Sequence, residues 1–217
     1  MTLALAAGTD RELAAITATQ LGMLFPDPDS AQDADLIEGL LPATLERLRP
    51  ILAAARSFET GRFNHRHSMQ YATYLYLLGN EAWRQGARTE FSERLFCLNR
   101  ALHGLDLFYA LALPEIFLVS HGVGLVLGAV TYGNRLMLSQ NVTVGRVGDA
   151  RPIIGSNVVF YPGAVVSGRS VVGDGCVIAA NTVVHNLNMP ADTVATMGAD
   201  GPVLRPRSRD FIGLYFV

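Results

Sequence analysis

Counted in steps of six from Val130, the chain places Leu136, Val142, Gly148, Ile154, Phe160, Val166, Val172, Ile178 and Val184 in one column, and nine of these ten residues are apolar. From Phe160 on, the fourth residue after each member is small or polar, as in Ala164, Ser170, Cys176 and Thr182, and a Val or Ile precedes each member from Ile153 to Val183. A period of six fits neither a helix of 3.6 residues per turn nor a hairpin meander, whose turn signals recur every 8–12 residues. It fits a parallel β-helix, in which each hexapeptide is one short strand and one turn and the large aliphatic side chain points to the axis. Small residues are needed where the chain turns, because the next coil lies only about 4.8 Å away. The glycine at 148 falls within Gly145-Arg146-Val147-Gly148-Asp149-Ala150-Arg151-Pro152, which reads as a loop leaving the coil with the phase kept on either side. Loops on a rigid scaffold are frequent carriers of function.

The repeat occupies only part of the chain. Residues 1–118 contain no valine, whereas residues 119–217 contain 19; glycine follows, with 7 before residue 119 and 14 after. A β-branched residue absent from one half and abundant in the other implies helices first and β-structure second. The expected class is therefore α+β, with an α-helical domain over 1–113, a β-helix over 114–190 and a C-terminal tail over 191–217.

In the first half, apolar spacing predicts helices from Thr9 to Phe25, Ala34 to Leu41, Pro42 to Phe58, Ser68 to Trp83 and Thr89 to Leu107. Thr9-Asp10-Arg11-Glu12 has the form of a capping box, Pro26 and Pro28 stop the first helix, and Pro42 suits the first turn of the third. His65 and His67 flank Arg66, but with no third ligand at recognisable spacing they read as a polar loop before a helix.

Seventeen basic residues, all arginine, against 19 acidic ones give a net charge of −2 with no basic block, so neither nucleic acid nor an anionic membrane is implied as a partner. Cys97 and Cys176 lie far apart with no CxxC spacing, which argues against a disulfide framework or a zinc site and for a cytoplasmic location. No apolar run reaches the roughly 18 residues needed to span a bilayer.

The segment His121-Gly-Val-Gly-Leu-Val-Leu-Gly128, followed by Leu138-Ser-Gln-Asn-Val-Thr-Val-Gly145, resembles the catalytic core of serine O-acetyltransferases, where a D-H-A-T-G-x-x-x-G stretch leads to an L-Q-S-V-T-L-G-G stretch. The match runs without a gap from Asp106 to Gly145 and, with one shortened loop, to about Val184. It implies a left-handed β-helix behind a helical N-terminal half, acetyl-CoA as co-substrate, and a homotrimer or a dimer of trimers joined through the helical halves; with only His185 after His121, too few histidines for a metal site on the coil, no metal is expected.

Acetyl transfer to a hydroxyl needs a group that accepts the hydroxyl proton while the oxygen attacks the thioester, and histidine suits this near neutral pH. His121 falls on the family's catalytic base. The family's orienting aspartate stands 15 residues earlier, and here 121 − 106 = 15 reaches Asp106. The resemblance also implies that coenzyme A runs along small-residue turns at Gly145, Pro162-Gly163 and Ala179-Ala180, with N–H groups after Gly145 facing the developing oxyanion and Arg205 or Arg207 near the phosphates. Proline at 162 has no N–H to give.

At the acceptor the pattern departs. The aspartate that precedes the family's catalytic histidine is Ser120 here, and the family's R-H-P element reads Ala150-Arg151-Pro152 in a shorter loop. The ammonium contact is lost, and a carboxylate contact survives only if Arg151 supplies it. The chain is thus expected to be an acetyltransferase acting on serine or a close analogue; the alternatives are a sugar O- or N-acetyltransferase of surface-polysaccharide biosynthesis and a non-catalytic hexapeptide scaffold.

Overall fold

The structure, a computed structural model, describes residues 3–59 and 61–217. The described residues divide into two compact units, one within residues 3–53 and 58–110 and the other of residues 54–57 and 111–217.

The first unit is helical. Helix α1 (Asp10–Leu24) begins with the expected capping box: Thr9 Oγ1 accepts from Glu12 N–H at 3.2 Å and Glu12 Oε2 accepts from Thr9 N–H at 2.8 Å. The two helices expected on either side of Pro42 are one helix, α2 (Asp33–Ala54), with Pro42 and Pro50 inside it. Each proline removes a helix hydrogen bond at about 3 kcal/mol. Against that, Ile37, Leu40, Leu41, Leu45, Leu48, Ile51 and Leu52 form one buried stripe across both prolines, at about 1.5–3 kcal/mol per side chain, so continuity wins. Helix α3 (Ser68–Arg84) is buried from Met69 to Ala82. Helix α4 (Thr89–His103) stops four residues short of the expected Leu107, because Gly104 turns into the left-handed region at φ 65. Asp106 consequently lies in a two-residue strand, Asp106–Leu107, rather than at a helix end. One ion pair is sealed in this unit: Arg94 donates to both carboxylate oxygens of Asp33, at 3.1 and 2.8 Å, and to Phe25 O at 2.7 Å.

The second unit is a parallel β-solenoid of about five turns. Its first sheet stacks Phe117–Val119, Leu136–Leu138, Val159–Phe160, Val177–Ile178 and Thr193–Gly198, its second includes Val126–Leu127, Thr143–Gly145, Val165–Ser167 and Val183–His185, and its third stacks Thr131–Tyr132, Ile153–Ile154, Val171–Val172 and Asn188–Met189. Val159 pairs with Val177, Val165 with Val183 and Ile153 with Val171, so a coil is 18 residues or three hexapeptides. Gly201–Pro206 folds back antiparallel on Thr193–Gly198 and closes the first sheet. Residues 54–57 join this unit through an antiparallel bridge of Ala55 to Phe216.

The register corrects the phase read from sequence. Tyr132 pairs with Ile154, Leu138 with Phe160 and Val144 with Val166, so the axial column before the loop sits two residues later than the count of Val130, Leu136 and Val142. From Val144 to Ile154 is ten residues where six would close the turn, 154 − 144 = 10, so the loop carries four extra residues and the phase is not kept across it. Counting in sixes passed over this because alternate residues of a strand share a face. Leu136 and Val142 are fully buried at the second inward position, the one held by Val158, Ala164, Ser170, Cys176 and Thr182 in the coils and corners after the loop. Val130 is half-exposed and lies outside the core.

Candidate active site

His121 lies two residues past the first strand of the solenoid, Phe117–Val119. Phe117, Leu118 and Val119 are buried, Ser120 N–H donates to Leu138 O at 2.8 Å, and the chain then turns with His121 at φ 54 and its side chain exposed. Among the described residues, the other non-glycine residues at positive φ are five Asn or Asp and Arg135. Holding a histidine there costs of order 1 kcal/mol, which the surrounding bonds maintain: Leu125 N–H donates to Gly122 O at 3.0 Å and Asn141 N–H to Val123 O at 2.9 Å.

The corner bearing His121 is wider than those stacked on it. Val126 stands seven positions after Val119, 126 − 119 = 7, against five from Leu138 to Thr143 in the next coil, 143 − 138 = 5. Along this edge Ser120, Ser139, Tyr161 and Ala179 each donate an N–H to the following coil, at 2.8, 3.1, 3.0 and 2.9 Å. Next to them run Gln140, Pro162 and Ala180, and then the left-handed residues Asn141, Gly163 and Asn181. Gly163, Ala179 and Ala180 thus belong to the edge headed by His121. Pro162 contributes a carbonyl, which accepts from Asn181 N–H at 2.9 Å, and no donor.

Other sequence-expected residues fall elsewhere. Gly145 ends a strand of the second sheet, opposite Ser167, at the next corner. The excursion after it is a closed hairpin: Val147 and Ala150 exchange N–H···O bonds of 3.0 and 3.1 Å, which uses two of the candidate oxyanion donors. Arg151, exposed, gives Nη1–H to Ala129 O at 3.1 Å. Arg205 is exposed on the closing hairpin opposite Val194. Arg207 is engaged instead by Asp192, at 2.6 Å.

Asp106 belongs to the helical unit. Its Oδ2 lies 3.7 Å from Arg100 Nε, and its side chain is 35% exposed. Sequence reasoning missed Arg100, which the left-handed turn at Gly104 brings back toward Asp106. His67 occupies the N-cap position of α3 with no side-chain capping bond and meets the Phe58 ring edge-on at 5.2 Å. His185 is held by Ser167 and Asn186.

Residues 151–186 match the bacterial transferase hexapeptide family model, of six repeats. The chain is similar to a plasmid-borne serine acetyltransferase of Synechococcus elongatus, 35% identical over 92 residues that cover 36% of this chain and 29% of that protein. It is also similar to a serine acetyltransferase of Staphylococcus xylosus, 26% identical over 144 residues covering 64% of this chain and 65% of that protein. The chain thus spans less than two-thirds of the length of these relatives. Among solved structures, a serine acetyltransferase of Brucella abortus superposes with a TM-score of 0.72 at 22% identity over 93% of this chain and 85% of its own. The fold is that of the serine acetyltransferases. A second Brucella abortus serine acetyltransferase structure, in complex with coenzyme A, gives a TM-score of 0.68 at 18% identity over 94% of this chain and 84% of its own. Set on the serine acetyltransferase fold, the hexapeptide match covers the later coils and leaves out the corner that carries His121. Among the described residues no helix is long and apolar enough to cross a membrane.

Proposed function

We propose that the chain is an acetyl-CoA-dependent acetyltransferase that acetylates a hydroxyl of a small, serine-like acceptor, with His121 as general base. The observation that carries this is His121 itself: an exposed imidazole on a strained left-handed residue, heading a corner two residues wider than those stacked on it. Strained backbone held in place by a rigid scaffold is a frequent mark of functional positions. The coenzyme complex of a protein with the same fold supports acetyl-CoA as the donor.

In this reading the acceptor hydroxyl gives its proton to His121 as its oxygen attacks the thioester carbonyl. The carbon–sulfur bond then breaks, and the departing coenzyme thiolate takes the proton back from the imidazolium. Asp106 is assigned to orient and stabilise that imidazolium, as an aspartate does for a catalytic histidine elsewhere. Gly163, Ala179 and Ala180 leave room for the pantetheine arm along the edge headed by His121, and Gly145, at the next corner, is assigned to a separate stretch of the coenzyme. Arg205 meets a coenzyme phosphate. Ser120 lies beside the acceptor, and Arg151, which spends one guanidinium N–H on Ala129, offers the rest of its fork to an acceptor carboxylate. The working assembly is a homotrimer, in the cytoplasm, where the free thiols Cys97 and Cys176 stay reduced.

Ser120 in place of the family's aspartate favours a second reading, the same chemistry on a sugar hydroxyl or amine. Release of free thiol from acetyl-CoA with L-serine, or with an amino sugar, separates the two. Turnover with serine at millimolar concentration supports the first; turnover with the sugar alone transfers the assignment; turnover with neither overturns the proposal.

A further inference from the structure

At the corner between the second and third sheets lies a polar groove of about 600 Å³, lined by Val147, Ala150, Arg169, Asn186 and Asn188. That volume is in the range of small-ligand sites. None of the lining residues is acidic, and among the described residues Arg169 forms no ion pair. The rim is the closed Val147–Ala150 hairpin. The floor is equally fixed. Asn186, left-handed at φ 51, accepts from Arg169 N–H at 2.8 Å through Oδ1 and lays that oxygen over Gly168, where a Cβ would clash.

That bond decides the neighbouring chemistry. With Oδ1 committed to Arg169, the Asn186 amide faces His185 Nε2 at 2.8 Å as a donor, so Nε2 accepts and the ring proton is on Nδ1. The Nδ1–H then donates to Ser167 Oγ at 2.9 Å. A serine that accepts from its histidine is not being deprotonated by it, so Ser167 and His185 do not form a nucleophile–base pair.

We propose that the groove binds a phosphoryl group, with Arg169 as the counter-ion and the Asn188 carboxamide as a second donor. A guanidinium fork with no carboxylate partner, beside an amide on a fixed floor, complements phosphate oxygens through charge-assisted hydrogen bonds. The source is the phosphorylated end of coenzyme A, which rests on the acetyltransferase reading, or a separate phosphorylated small molecule, which does not.

Calorimetric titration of the whole protein with adenosine 3′,5′-bisphosphate and with inorganic pyrophosphate tests this, using the wild type, Arg169→Gln and Asn188→Ala. Loss of a charge-assisted bond predicts binding weakened about tenfold or more in Arg169→Gln, less in Asn188→Ala, and unchanged in His121→Ala. Competition by coenzyme A, and loss of the wild-type preference for it over dephospho-coenzyme A in Arg169→Gln, identifies the coenzyme as the source. Arg169-dependent pyrophosphate binding without that competition identifies a free phosphorylated ligand. If acetyl transfer is absent but Arg169-dependent binding persists, the enzymatic reading fails and the site stands. Equal binding by wild type and Arg169→Gln, or no binding of either probe, overturns the site.

Discussion

Asn181 places its carboxamide oxygen in the space that a Cβ on Gly163, one coil earlier, would fill, and both residues hold positive φ, 56 and 72. The same alternation of a left-handed Asn over a left-handed Gly recurs with Asn186 and Gly168. The corner is therefore closed to side chains by its neighbour as well as by its own dihedral angle. Gly163→Ala is expected to lower the unfolding free energy by about 1–3 kcal/mol. Gly145, with open space around it and no positive φ, is the control: its alanine variant stays within about 0.5 kcal/mol. Chemical denaturation of both variants measures the contrast, and equal costs would contradict it.

In the helical unit, Arg94 and Asp33 are nearly sealed, with side chains 9% and 2% exposed. Removing one partner leaves an uncompensated buried charge, so Arg94→Met is expected to cost about 3–5 kcal/mol, and the double variant Arg94→Met/Asp33→Leu to recover most of it. Equal melting losses for the single and double variants would show that the charge pairing is not what matters.

His103 sets a pH dependence. Burial holds its imidazole below the usual value of 6.5, partly offset by a backbone hydrogen bond to Asn99. The unfolded chain then takes up the proton more readily than the folded one. Stability from this residue is complete above pH 6.5 and declines as the pH falls below it. Urea titrations between pH 7.5 and 5 should show this decline in the wild type and a shallower one in His103→Gln; identical slopes would sink the assignment.

How much of this was legible in the sequence depends on what each residue's neighbours do. The six-residue period is a chemical alternation and survives as text. The four-residue excursion did not, because Leu136 and Val142 are as apolar and as buried at the second inward position as Val144 is at the first. Helix α2 was misread as two since proline's local rule is visible in a string of letters, whereas the stripe from Ile37 to Leu52 that outweighs it acts only once packed. His121 and Asp106 are singled out by motif and spacing alone. Arg100 beside Asp106 and Arg169 in its groove depend on turns at Gly104 and Gly168 that bring distant side chains together, and no spacing announces them.

The two thiols should differ in reactivity. Cys176 is buried, its Sγ 3.0 Å from Pro190 O, and burial pushes the thiol up from its usual range. Cys97 is partly exposed. A maleimide at neutral pH should label one thiol per chain in the native protein, at Cys97, and two in denaturant. Labelling of Cys176 at the rate of Cys97 would mean that the corner opens readily.

The central claim rests on one imidazole. Thiol release from acetyl-CoA with L-serine, compared between the wild type and a folded His121→Ala variant, tests it directly. Loss of a general base should lower kcat by about 10²–10⁴; undiminished turnover in the variant would contradict the account.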